Sequence, residues 1–223
     1  MLISAVMVFV EPSREVLSET LLAAGPDSPT LCEGWKTKHL ASHLYLRERR
    51  PDVGAGLLLK PLSTLADGAT NRRAARVENS VDYEQLVADF RAGPGRLSPM
   101  RIRSLETSVH LLEYFVHTED VRRAVDRWAP RALDPEYADA LWHELVKRAT
   151  LLYRGMDVGI VLVRPNGPRH VAKRGAMSVA ITGEPGELVM HAHGRTCHAL
   201  VTFEGQPDAV DLLERSRTGL PDR

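Results

Sequence analysis

The chain has 223 residues, 43% hydrophobic and 26% charged, with 29 basic and 29 acidic side chains. That length suits one large domain or two small ones able to bury a core, and the balanced charge argues against a nucleic-acid carrier, which shows a basic surplus. The two cysteines, Cys32 and Cys197, are too few and too far apart for a disulfide framework or a four-cysteine zinc site, and fit a reducing cytoplasm.

Met1 to Val10 is almost wholly apolar. It lacks the basic start and small-residue cleavage site of a signal peptide, and is half the roughly 20 residues a membrane span needs. A helix extension or a packed arm is expected there. Pro12 suits a first helical turn, and Val16, Leu17, Thr20, Leu21 and Ala24 follow at helical spacing until Gly25. After the loop Gly25-Pro26-Asp27-Ser28-Pro29, a second helix is predicted from near Trp35 to about Arg49, stopped by Pro51. Residues 51–65 read as a Gly/Pro/Leu-rich connection, followed by a weak helix from Leu65 to Arg76. Asp82 is the expected N-cap of a helix through Phe90, closed by Gly93-Pro94-Gly95. The strongest helix is predicted over Ser104–Val125, and Asp134-Pro135 starts another with Ala138, Leu141, Leu145 and Ala149 inward.

After Gly155 the pattern turns to strands: Val158–Val163, His170–Ala172 beyond an Asn166-Gly167 turn, Met177–Thr182 and Ala199–Phe203. Helices are predicted between Pro185 and Gly194 and from Pro207 to about Arg215. The fold class is therefore α+β, with a helical domain over 1–153 and a small α+β domain over 154–223.

Nine histidines are a modest excess. Glu113 and His117 lie four apart on the longest predicted helix, on one face and one turn apart. Two such side chains can bind one ion, with a third ligand, such as His43, from another helix. A three-ligand zinc site keeps its fourth position open, and the same donors accept nickel, manganese or iron. Spacing alone equally describes a surface pair or a buried hydrogen bond.

The stretch from Cys32-Glu33-Gly34-Trp35 to His39-Leu40-Ala41-Ser42-His43-Leu44 resembles the Leu-Cys-x-Gly-Trp…Leu-x-x-His signature of mycothiol-dependent maleylpyruvate isomerase-like proteins, within the DinB-like superfamily. Glu113-Tyr114-Phe115-Val116-His117 with Glu119-Asp120-Val121-Arg122-Arg123 resembles the second signature, closest to an uncharacterised actinobacterial branch. The resemblance spans about residues 16 to 215. It implies an up-and-down four-helix bundle followed by a sterol-carrier-like domain, and a divalent metal, zinc foremost, on His43, Glu113 and His117. The metal would lower the pKa of the mycothiol thiol and hold a thiolate nucleophile. The implied activity is a cytoplasmic transferase or isomerase, monomeric or homodimeric, with a small-molecule thiol and electrophile as partners and neither nucleic acid nor membrane. Three departures stand out: Thr118 replaces a second histidine, His39 stands where a non-ligand polar residue is usual, and His110 adds a ligand candidate.

Other residues have two readings each. Arg195 could hold a substrate carboxylate by a bidentate pair or form a structural salt bridge. His191, His193 and His198 with Cys197 could suggest a second site, but His191 and His193 point about 200° apart on a helix, and surface histidines are the simpler expectation. Cys32 beside Glu33 reads as a small buried hydrophobe rather than a nucleophile. Trp35 reads as a core anchor. Glu119, Asp120, Arg122 and Arg123 could orient the metal ligands or form solvated pairs. Arg47, Arg49 and Arg50 suit the dipole at a helix end. A metal-stabilised, non-catalytic binding or regulatory module is the alternative function. Nucleic-acid binding through Arg72, Arg73 and Arg76 is a weak third.

Overall fold

A computed structural model describes residues 2–49, 63–94, 107–165 and 167–218. Among them are eight α-helices and a four-stranded sheet, an α+β fold. The helices are α1 (Leu2–Ala24), α2 (Thr37–Arg49), α3 (Ser63–Ala74), α4 (Ser80–Arg91), α5 (Thr107–Arg122), α6 (Pro135–Leu152), α7 (Pro185–Ala192) and α8 (Pro207–Thr218). The strands are β1 (Gly159–Val163), β2 (Arg169–Lys173), β3 (Ser178–Thr182) and β4 (Thr202–Glu204). Arg50, most of the 51–65 connection, Gly95, the expected helix start at Ser104 and the turn residue Asn166 lie outside the described residues.

Two compact units divide the chain, one over Val10–Trp128 and the other joining the segment up to Phe9 with Ala129 onward. The junction expected at 153/154 differs from this division. The physical reason is α6, whose buried Ala138, Leu141, Leu145 and Ala149 form one stripe, and which packs on α7 and β2. Its N-terminus is as expected: Asp134 accepts from the Glu136 amide, with Pro135 in the first turn.

Helix α1 runs through Pro12, so the apolar segment before it is a helix extension, one of the two forms expected there, and Pro12 lies inside the helix and not in its first turn. The hydrogen bond that Pro12 removes would have gone to Val8, which is exposed, so the break falls on a wet face. The buried stripe is Val10, Ser13, Arg14, Leu17, Ser18 and Leu21, while Val16 is exposed. Gly25 ends the helix in the left-handed region at φ 78°. The loop after it caps α2: Ser28 and Pro26 carbonyls accept from the Thr37 and Lys38 amides, so the helix starts at Thr37 rather than Trp35. In α4 the N-cap is Asn79, whose side chain accepts from the Asp82 amide. Asp82 sits three residues in and accepts in turn from the Glu78 amide, close to a capping box. Leu40 and Leu44 of α2, Leu86 and Phe90 of α4, and Leu111 and Phe115 of α5 form the core with Leu17 and Leu21.

Helix α5 is buried on every side from His110 to Val121 except at His117. A helix enclosed all round is a central element, and here its one partly exposed residue in that span is a ligand candidate.

In the other unit the sheet order is β2-β1-β3-β4, with β1 and β3 parallel and both outer pairs antiparallel. Gly159 permits a close approach here: a Cβ on it would meet the Gly175 backbone nitrogen at 2.8 Å. The strand expected over Ala199–Phe203 is shorter, because Thr196–His198 forms a 3-10 turn and the Leu200 amide donates to Glu187. Ladder pairing begins only at Thr202. No helix among the described residues is long and apolar enough to cross a membrane.

Candidate metal centre

Helix α2 presents His43 and Arg47 four apart, and α5 presents Glu113 and His117 four apart, so each pair projects from one helical face. The structure brings His43, Glu113 and His117 together, one ligand-type atom of each lying within 4.8 Å of the others. Glu113 Oε1 is 3.8 Å from His43 Nε2 and 3.9 Å from His117 Nε2. These separations are too long for hydrogen bonds. They are slightly wider than the about 3.3 Å between donors around a tetrahedral zinc with ligand distances near 2.0–2.1 Å. A small contraction would bring the three onto one ion.

Glu113 makes the strongest case for the fit. Its side chain is only 8% exposed, yet neither oxygen has a hydrogen-bond partner. Arg47 Nη1 approaches Oε1 to 2.6 Å as an ion pair, without the alignment of a hydrogen bond. Arg47 offsets the charge of this buried carboxylate, while the hydrogen-bonding capacity of both oxygens is left for a metal to take up. Burial pushes the Glu113 carboxyl up, but Arg47 first, then His43, His117 and His110, outweigh it and bring it down to about 2. Burial lowers the pKa of His43, favouring the neutral ring a metal requires. Trp35 is half-buried with its ring 5.2 Å from that of His43, so it walls the site instead of anchoring the core.

His39 and His110 belong to no ligand cluster among the described residues. His39 Nδ1 accepts from the Lys36 amide, and His110 Nδ1 is 2.9 Å from the Tyr114 hydroxyl. Thr118, at the variant position, bonds back to the Tyr114 carbonyl. Tyr114 also meets Glu48, which pairs with Arg14 at 3.1 Å. This buried polar string is invisible to periodicity, which marks Arg14 only as one more helical position.

Glu119 forms ion pairs with Arg122 and Arg123, but the Glu119–Arg123 pair is buried, not solvated. Asp120 is the acidic residue that reaches the site, its Oδ2 lying 2.9 Å from His117 Nδ1. Arg195 lies in the other unit, 3% exposed, and donates from Nη1 to the His193 carbonyl at 2.8 Å. His191 is fully buried, contrary to the surface expectation, because its Nδ1 meets the Tyr153 hydroxyl at 2.9 Å and its ring lies against Tyr153 and Phe203. Cys197 is exposed.

No family model matches the chain. No curated relative matches it either. Among solved structures, the mycothiol-dependent maleylpyruvate isomerase superposes with a TM-score of 0.51 at 18% identity, over 91% of this chain and 92% of that one. The chain shares that fold. A mutant of the isomerase with a histidine replaced by alanine matches with the same score and coverage at 19% identity.

Arg47 looked from the sequence like a residue serving the helix dipole; the structure places it on Glu113. A guanidinium there holds the carboxylate in its charged form and repels an incoming dication. Arg47→Met is therefore expected to raise divalent-metal affinity at neutral pH by roughly tenfold, a repulsion of about 1.4 kcal/mol removed. The same change lets burial lift the Glu113 carboxyl, so the variant loses metal at a higher pH than the parent as acid is added. Chelator competition titrations across pH measure both effects.

Proposed function

We propose that the chain belongs to the mycothiol-dependent maleylpyruvate isomerase-like family and is a divalent-metal-binding, thiol-dependent transferase or isomerase acting on a small electrophile. The observation that carries this reading is Glu113, a buried carboxylate without hydrogen bonds set beside Nε2 of His43 and of His117. The fold shared with an isomerase whose name specifies mycothiol supports a thiol cosubstrate. His43, Glu113 and His117 are the ligands in this reading, and two imidazoles with one carboxylate suit zinc with a position left open. A bound cation would supply Lewis acidity that lowers the pKa of a thiol. The chain's own residues do the rest: Trp35 covers one side of His43, and the partial exposure of His117 leaves an approach from solvent.

The test uses the full chain purified with its metal, incubated with mycothiol and a series of activated alkenes, with thiol loss and double-bond geometry followed by NMR. Turnover that disappears on chelation and returns with zinc is the expected result. Stoichiometric metal without any change in thiol or alkene would favour the non-catalytic module. A chain that takes up no divalent metal overturns both.

A further inference from the structure

His117 stands in two clusters at once. Its ring joins His43 and Glu113, and it also joins Cys32 and Asp120, each set having its ligand-type atoms within 4.8 Å. The two sets differ in kind. In the second, Asp120 Oδ2 lies 2.9 Å from His117 Nδ1 and 3.3 Å from Cys32 Sγ, both hydrogen-bond distances. A carboxylate only accepts, so the ring nitrogen and the thiol facing it are the donors. In the first set the atoms stand 3.8 and 3.9 Å apart with no hydrogen bond between them. One cluster is hydrogen-bonded within itself, while in the other the donor atoms stand apart and Glu113 is ion-paired with Arg47.

The backbone reinforces the closed set. The Leu31 amide donates to the Asp120 carbonyl at 2.9 Å, so the loop carrying Cys32 is fastened to α5 through both the main chain and the side chain of Asp120. Asp120 is fully buried and Cys32 nearly so.

Resting on the metal reading above, we propose that Asp120 is the positioning residue for His117. It keeps the proton on Nδ1 and fixes the ring so that Nε2 presents its lone pair beside Glu113, while the Cys32 thiol locks the Asp120 carboxylate. On this assignment Cys32 is neither a metal ligand nor a nucleophile. A ligand histidine generally donates its second ring N–H in this way, and loss of such a partner typically costs 10–100-fold in metal affinity.

Cobalt(II) and chelator competition test this on the full-length protein. The wild type is expected to bind one cobalt with a tetrahedral visible spectrum and no thiolate-to-cobalt charge-transfer band. Asp120→Asn should weaken binding by about 10–100-fold, whereas Cys32→Ser, whose hydroxyl still donates, should hold close to wild-type affinity. A charge-transfer band that vanishes in Cys32→Ser overturns the proposal, since Cys32 would then be a ligand. Unchanged affinity in Asp120→Asn overturns it too, while leaving the metal reading standing. Should Asp120→Asn fail to fold, ring-nitrogen NMR of the metal-free wild type decides: a proton on Nδ1 of His117 is expected, and a proton on Nε2 refutes the assignment. A wild type that takes up no cobalt overturns the metal reading and this inference together.

Discussion

His117→Ala is expected to abolish stoichiometric divalent-metal binding, and His43→Ala to do the same. Each removes one of three donors from a site whose remaining atoms cannot close around the gap. Structural zinc sites contribute about 10–16 kcal/mol over four ligands, so one lost ligand amounts to several kcal/mol, on the order of a thousandfold in affinity. Elemental analysis after dialysis, with circular dichroism to confirm the helices, is the measurement. Full occupancy in both variants would remove the ligand assignment. The pH dependence has a definite sign. Burial lowers the pKa of His43, so proton competition at that ring begins below the usual imidazole range. Metal affinity should therefore change little near neutrality on account of His43 and fall as the solution becomes acidic.

The largest stability effect is expected at the C-terminal end of α5. Arg123 Nε lies 2.6 Å from Glu119 Oε2, with side-chain exposures of 1% and 0%. The Arg123 guanidinium also lies 4.5 Å from the centre of the Trp128 ring. Arg123→Met leaves the Glu119 charge buried beside the less enclosed Arg122 and removes the ring contact, at a cost of about 3–5 kcal/mol. Arg122→Ala, on the partly exposed partner, should cost about 0–1 kcal/mol. Urea unfolding of the two variants gives the comparison through the midpoint at constant slope. Equal midpoints would show that burial of the Glu119–Arg123 pair does not hold the end of α5. Glu119→Gln in the Arg123→Met background is expected to recover part of the loss, because it removes the stranded charge.

Much of the architecture was legible in the chain. Helical spacing and turn residues located α2, α6, α8 and β1 to β3 to within a few residues, since these signals act over one turn or one strand. The Glu113–His117 pair was legible for the same reason: an i, i+4 spacing on a helix is a short-range fact. Tying His43 to that pair required the two signature-like stretches as well.

The errors fell where a long-range contact competes with a local rule. Pro12 suits a first turn yet lies inside α1, because the bond it removes falls on an exposed face, while the apolar segment before it is the helix extension that was one of two expectations. Ala199–Val201 looked like strand, but Glu187 takes the Leu200 amide.

The clearest division lies at the site. Residue type and spacing sufficed to pair Glu113 with His117, because one helical turn sets two donor side chains side by side, while His43 joined them through the signature-like stretches. The surroundings of those ligands came only from folding. Cys32 and Asp120 stand 88 positions apart and meet on a single oxygen. Arg14 and Tyr114 stand 100 apart and share a buried hydrogen bond. Arg47, with the sequence look of a helix-end cation, instead holds Glu113. Periodicity tells which face of a helix turns inward; it does not tell which residue of a distant helix will be waiting there, and burial and electrostatics at the centre depend on that meeting.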